Sequence, residues 1–108
     1  MDENMKYGNL MINDDIHHLY EIIDKVDEDV FKYGISCGPI GKDGLSRRIR
    51  LQIQLFNQAV NWNRFFARII IYSIVGKKEA RINETWFINS YREKNGKSSR
   101  GNLRDYKF

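Results

Sequence analysis

The chain has 108 residues, 42% apolar and 30% charged, which fits one globular domain around a single core. No apolar stretch reaches the ~20 residues of a membrane span, since even Phe65 to Val75 is short and contains Arg68. The single cysteine, Cys37, excludes an internal disulfide and a structural zinc site, and reads as a small, semi-buried residue of a glycine-rich loop.

Charge is unevenly placed. Residues 1–29 hold nine acids against two lysines, so almost all of the positive charge behind the net +4 lies between Lys32 and Lys107. A basic body behind an acidic leader fits a nucleic-acid partner, although an ordinary uneven surface reads the same way.

In chain order, residues 1–15 are polar and read as a linker or frayed start; their apolar run is broken by Asn13, Asp14 and Asp15, unlike a signal peptide. The domain proper is expected over residues 16–108. His18 to Ile23 predicts a strand, closed by the acidic turn Asp27-Glu28-Asp29, and Val30 to Ser36 predicts its hairpin partner. Cys37 to Gly44 is loop chemistry. Ser46 is a fitting N-cap for a helix to about Val60, with Ile49, Ile53, Phe56 and Val60 at helical spacing. Arg64 to Val75 predicts a strand whose apolar run from Ile69 to Ile71, without alternation, implies burial on both faces at the sheet centre. Lys77 to Asn95 predicts a second helix, with Ile82, Trp86 and Tyr91 roughly on one side and Gly96 as its stop. The tail from Lys97 is basic and irregular.

The order β-β-α-β-α implies a small α+β domain, a three-stranded, mainly antiparallel sheet flanked by helices. Its core should lean on Phe56, Trp62, Phe65, Phe66, Trp86 and Phe87. Along the second strand, alternation assigns Lys32 and Gly34 to a cleft face and Phe31, Tyr33 and Ile35 to the core, and Gly34 leaves room for a phosphate backbone to approach.

Several residues then fall into a known succession. Tyr20 lies on the first strand in His18-Leu19-Tyr20, and Lys32-Tyr33-Gly34 on the second. Arg47, Arg48 and Arg50 open the first helix, and Ala80, Glu84 and Ile88 are spaced by four on the last. Gly101-Asn102 follows. This set resembles the GIY-YIG nuclease superfamily, and within it the URI-type toxin domains at the C-termini of bacterial polymorphic toxins. His18 replaces the usual glycine of the first motif, and Lys32 the usual tyrosine of the second.

The resemblance implies a metal-dependent endonuclease toxin acting on DNA or RNA, with Tyr20, Lys32, Arg48 and Glu84 as catalytic residues. Arg48 is preferred over Arg47 because Gln52 follows it by four. Tyr33, Arg47, Gln52 and Asn102 would contact substrate, and Glu84 would ligate Mg2+ or Mn2+. It further implies a cognate immunity protein and delivery as an effector into the target-cell cytoplasm. The residue types suit that chemistry: Glu84 offers a hard oxygen ligand, a guanidinium at a helix N-terminus favours phosphate, and Tyr20 can orient water or pass a proton.

Taken singly, each has an ordinary reading, and Glu84 in particular reads as an ion-pair partner of Arg81 or Lys77. Two other functions fit the same chain. One is a metal-independent ribonuclease toxin attacking tRNA and recruiting His17, His18 and Lys32; the other is a nucleic-acid-binding module without turnover. The basic tail (Lys97, Arg100, Arg104, Lys107) would follow a nucleic-acid backbone, and Tyr91 and Tyr106 would stack on bases.

Overall fold

The structure, a computed structural model, describes residues 15–102. The proposed linker up to Asp14 and the tail residues Arg104, Tyr106 and Lys107 lie outside them. Five elements follow in the order expected: β1 (Ile16–Asp24), β2 (Asp29–Cys37), α1 (Arg47–Val60), β3 (Phe65–Val75) and α2 (Lys77–Asn95). The strands form one antiparallel sheet in the order β2-β1-β3. The sheet centre is therefore β1, and β3 is an edge strand, against the expectation from its apolar run.

That run has another cause. Leu19 pairs with Ile71 and Tyr20 with Ile69, which leaves Ile70 without an opposite number. The bulge breaks the two-residue alternation, so consecutive isoleucines serve both faces of an edge strand. A second irregularity follows at Ser73, whose φ is +59°. Its N–H donates to His18 Nδ1 at 3.1 Å.

A third bulge revises β2. Ile22 pairs with Lys32 and Ile23 with Val30, so Phe31 is the extra residue. Phe31 packs on Phe56 and Phe65, whereas Tyr33 packs on Phe87 of α2. The expected common face of Phe31, Tyr33 and Ile35 is thus split.

Neighbouring residues of β1 point to opposite faces and enter different cores. Leu19 joins Ile35, Ile74 and Ala80, with Phe87 against them. Tyr20 joins Ile22, Ile49 and Phe65, with Ile53, Phe56 and Val60 of α1 against them. The apolar stripe read for α1 is therefore its packing face. Ser46 caps this helix by accepting from the Ile49 N–H, and its hydroxyl also bonds Ser36 of β2 at 2.7 Å.

The second helix differs from expectation. It buries Ala80, Glu84 and Ile88, while Ile82 and Trp86 are 52% and 63% exposed. Trp62 and Phe66 are exposed as well, so only three of the six predicted aromatics, Phe56, Phe65 and Phe87, belong to the cores. Fully buried Leu19, Ile22 and Ile49 supply the rest.

Two polar devices complete the fold. Asp24, 1% exposed, takes a bidentate pair from Arg64, with Nε and Nη2 both at 2.8 Å, and a further bond from Arg100. These guanidiniums, Arg64 foremost, hold its carboxyl down at about 2. Arg100 also reaches Asp27 and lies over the Phe31 ring, so this tail cation is spent inside the domain. Asn102, 0% exposed, then acts as an extra strand beside β2: its Oδ1 accepts from the Tyr33 N–H and its Nδ2 donates to the Tyr33 carbonyl. Tail residues Ser99 to Asn102 are docked by these contacts and by the Ser99 hydroxyl donating to the same Oδ1.

Replacing Asn102 by Ala orphans two buried backbone groups of Tyr33 on the edge strand β2. The expected cost is about 1–3 kcal/mol, read as a lower midpoint in urea unfolding. For Asp24, whose folded value lies below its ordinary 3.8, the stabilisation is complete above pH ~4 and lost as pH falls toward 2. Asp24→Asn should be less stable than the wild type at pH 7, and that gap should shrink on acidification through this window.

Candidate active site

One hollow of about 190 Å³ gathers residues from both helices and from β1 and β2. Tyr20 and His17 come from β1, Lys32, Gly34, Ile35, Ser36 and Cys37 from β2, Arg48 from α1, and Lys77, Arg81 and Glu84 from α2. At roughly 30 Å³ per water, it has room for a phosphate group and a few waters. All four side chains expected to converge, Tyr20, Lys32, Arg48 and Glu84, line it.

Local structure explains each position. Tyr20 and Gly34 are directly opposite across the hairpin. A Cβ on Gly34 would lie 2.5 Å from the Tyr20 Cζ and hydroxyl, so glycine is required because the phenol ring lies over it. The space expected to admit a phosphate backbone at Gly34 is taken by that ring. Its hydroxyl donates to Gln52 Oε1 on α1 at 2.7 Å. Gln52 thus orients Tyr20 and does not itself line the cavity.

The arginine cluster separates cleanly. Arg48 enters the cavity, and Arg50 is bound to Asp43 through Nε and Nη2 at 2.7 and 2.8 Å. Arg47 lines a neighbouring groove. The Ser46–Ser36 bond fixes the start of α1 to β2, which brings Arg48 to the cavity that Lys32 also lines.

Glu84 sits on the buried stripe of α2 between Ala80 and Ile88, 6% exposed. Its Oε1 accepts from Arg81 Nη1 at 2.7 Å. The ion pair foreseen as an ordinary explanation of Glu84 exists, and it lies within the cavity wall. Lys77 and Arg81, which the sequence offers only as partners for Glu84, lie seven and three residues before it on one helix, the spacing that puts them on its face.

Two residues assigned to substrate lie elsewhere. Tyr33 is buried against Phe87 and Tyr91, and Asn102 is buried against the Tyr33 backbone. Tyr91 likewise donates its hydroxyl to Asp29 at 2.7 Å and is tied to the hairpin end; burial, then this bond, pushes the phenol up to about 12. Cys37 is exposed, not semi-buried.

Four cations, Lys32, Arg48, Lys77 and Arg81, surround one carboxylate. Burial, then the charges of Arg81 and Arg48, push the Lys77 ammonium below its ordinary value. Such a surplus is a receptor for an anion. His17 adds a different group: its Nδ1 lies 2.8 Å from the Asp15 carbonyl, an oxygen that only accepts, so Nδ1 carries the proton and neutral His17 keeps its lone pair on Nε2.

Among the described residues no three His, Cys, Asp or Glu side chains are grouped to hold a metal. Glu84 is the one carboxylate among the described residues that line the cavity. That fits a cation such as Mg2+ or Mn2+, which keeps several waters and takes one or two carboxylates plus substrate oxygens.

Gly34→Ala is expected to drive the Tyr20 ring off Gln52 and lower the melting temperature by several degrees. Adding Tyr20→Ala removes the clash, so the double variant should lose less than the sum of the two single losses. Strict additivity in this cycle would refute the proposed ring–glycine fit.

No curated protein and no solved structure matches the chain. A model of the family described as URI fold toxin 2 matches residues 10–96, a span that includes β1, β2, both helices and every residue lining the cavity. The chain belongs to the URI fold toxin 2 family.

Proposed function

We propose that this toxin domain is a metal-dependent endonuclease of GIY-YIG type, hydrolysing phosphodiesters in DNA or RNA. The observation that carries this reading is the convergence of Tyr20, Lys32, Arg48 and Glu84, from four different elements, on one phosphate-sized cationic cavity. Lys32, Arg48 and Lys77 bind the scissile phosphate and offset the charge that grows on its oxygens in the transition state. Tyr20, its hydroxyl proton held by Gln52, accepts a hydrogen bond from the attacking water and so orients it. Arg81 holds the Glu84 carboxylate in place. Glu84 would hold Mg2+ or Mn2+, which when bound supplies charge neutralisation and an acidified water.

As an antibacterial toxin it would be delivered into the cytoplasm of a target cell and be neutralised by a cognate immunity protein. The charge surplus of the cavity supports a polyanionic substrate.

A second reading rests on His17. With Nε2 as base and Lys32 against the phosphate, the same cavity can activate a ribose 2′-hydroxyl without a metal. His18 takes no part in it, because its Nδ1 accepts the Ser73 N–H.

The purified domain is expected to cut plasmid DNA, total RNA or tRNA with Mg2+ and to stop when the metal is chelated. Glu84→Ala should lower the rate on the order of a hundredfold or more while the domain stays folded by far-UV circular dichroism at the assay temperature. Full cutting in excess chelator, with cyclic phosphate ends, would transfer the chemistry to His17.

A further inference from the structure

Beside the cavity runs an open groove of about 520 Å³ that the catalytic proposal does not use. One wall is α1, where Leu51 and Leu55 stand one turn apart and are 46% and 66% exposed. The other is Gly38-Pro39, the start of the loop that leaves β2. The groove is continuous with the cavity: Cys37 and Arg48 line both. Gln52, also in the groove, is bonded to the Tyr20 hydroxyl. Arg47 lines the groove alone.

We propose that this groove holds the sugar and base next to the phosphate bound in the cavity, so that the substrate is single-stranded or unpaired at the cut. The inference rests on the nuclease reading of the cavity. Arg47 and Arg48 stand side by side at the start of α1, where groove and cavity meet, and Leu51 and Leu55 follow along the same helix. A nucleotide has the complementary order, a phosphate and then a sugar and an apolar ring system with a polar edge.

Exposed leucines cost hydration free energy, and a base face laid against them removes that cost while its edge stays wet. In a duplex both faces of a base are already stacked, so the groove accepts a base only once it has left the stack. The junction at Arg48 gives the order: the phosphate in the cavity and its own nucleoside in the groove belong to one nucleotide.

The test uses the full chain with Mg2+ and three substrates: a single-stranded oligonucleotide with a mapped cut, the same strand abasic at the nucleotide beside the cut, and the matching duplex. Leu51→Ser/Leu55→Ser changes two surface positions and should melt like the wild type. On the intact strand it is expected to raise KM about tenfold with kcat within twofold. On the abasic strand, variant and wild type should be equal, and the wild type should prefer the single strand to the duplex.

Equal KM values for variant and wild type on the intact strand overturn the groove proposal while the nuclease reading stands. So does an equal loss on intact and abasic strands, or a preference for duplex. A wild-type dimer in sedimentation that the variant dissolves would assign the groove to a second copy, also against the proposal. Absence of cutting of any nucleic acid by the wild type overturns the nuclease reading itself, and the groove assignment with it.

Discussion

The site depends on one steric fit, the Tyr20 ring lying across the bare backbone of Gly34. The ring can cross the hairpin only where the opposite residue has no Cβ. Because it crosses, its hydroxyl reaches Gln52 and ties the central strand to α1. The Ser36–Ser46 bond then fixes the start of the same helix to β2. Between them these contacts set the distance between Lys32 on the sheet and Arg48 on the helix. Glu84 enters from the remaining side, held on α2 between Ala80 and Ile88. A cavity assembled in this way needs no loop to form it, and its walls are regular elements with packed backs.

The electrostatics follow from that geometry. Four basic side chains crowd one carboxylate, and burial, then the charges of Arg81 and Arg48, push the Lys77 ammonium below its ordinary value. None of the four is fully buried, so water and salt screen part of the excess. The acidic hairpin end shows the opposite solution, with Asp24 and Asp27 matched internally by Arg64 and Arg100. Positive charge is thus neutralised at the hairpin end, where it serves the fold, and left in excess around the cavity.

Much of this was legible in the sequence because it is local. Ser46 and the four apolar residues after it define α1 by spacing alone, and Ala80, Glu84 and Ile88 at intervals of four put the carboxylate on a buried stripe. Bulges were not legible. An extra residue at Phe31, Ile70 or Ser73 resets the alternation from which faces are read, and nothing in composition marks it. That is why β3 reads as a central strand and why Phe31 is assigned to the wrong face. Long-range polar pairing was equally hidden: Asn102 meets Tyr33 across 69 residues, and no local pattern distinguishes such an amide from one that meets substrate. Exposed Trp62 and Trp86 mislead for a related reason, since aromatic character predicts burial only when the neighbouring elements supply a surface to bury against.

Cys37 stands at the junction of cavity and groove, and it is the chain's sole thiol and solvent-facing. A maleimide dye or spin label attached to the unaltered protein therefore has a single destination, beside both compartments. The molecule carries a built-in reporter for occupancy of its own cleft.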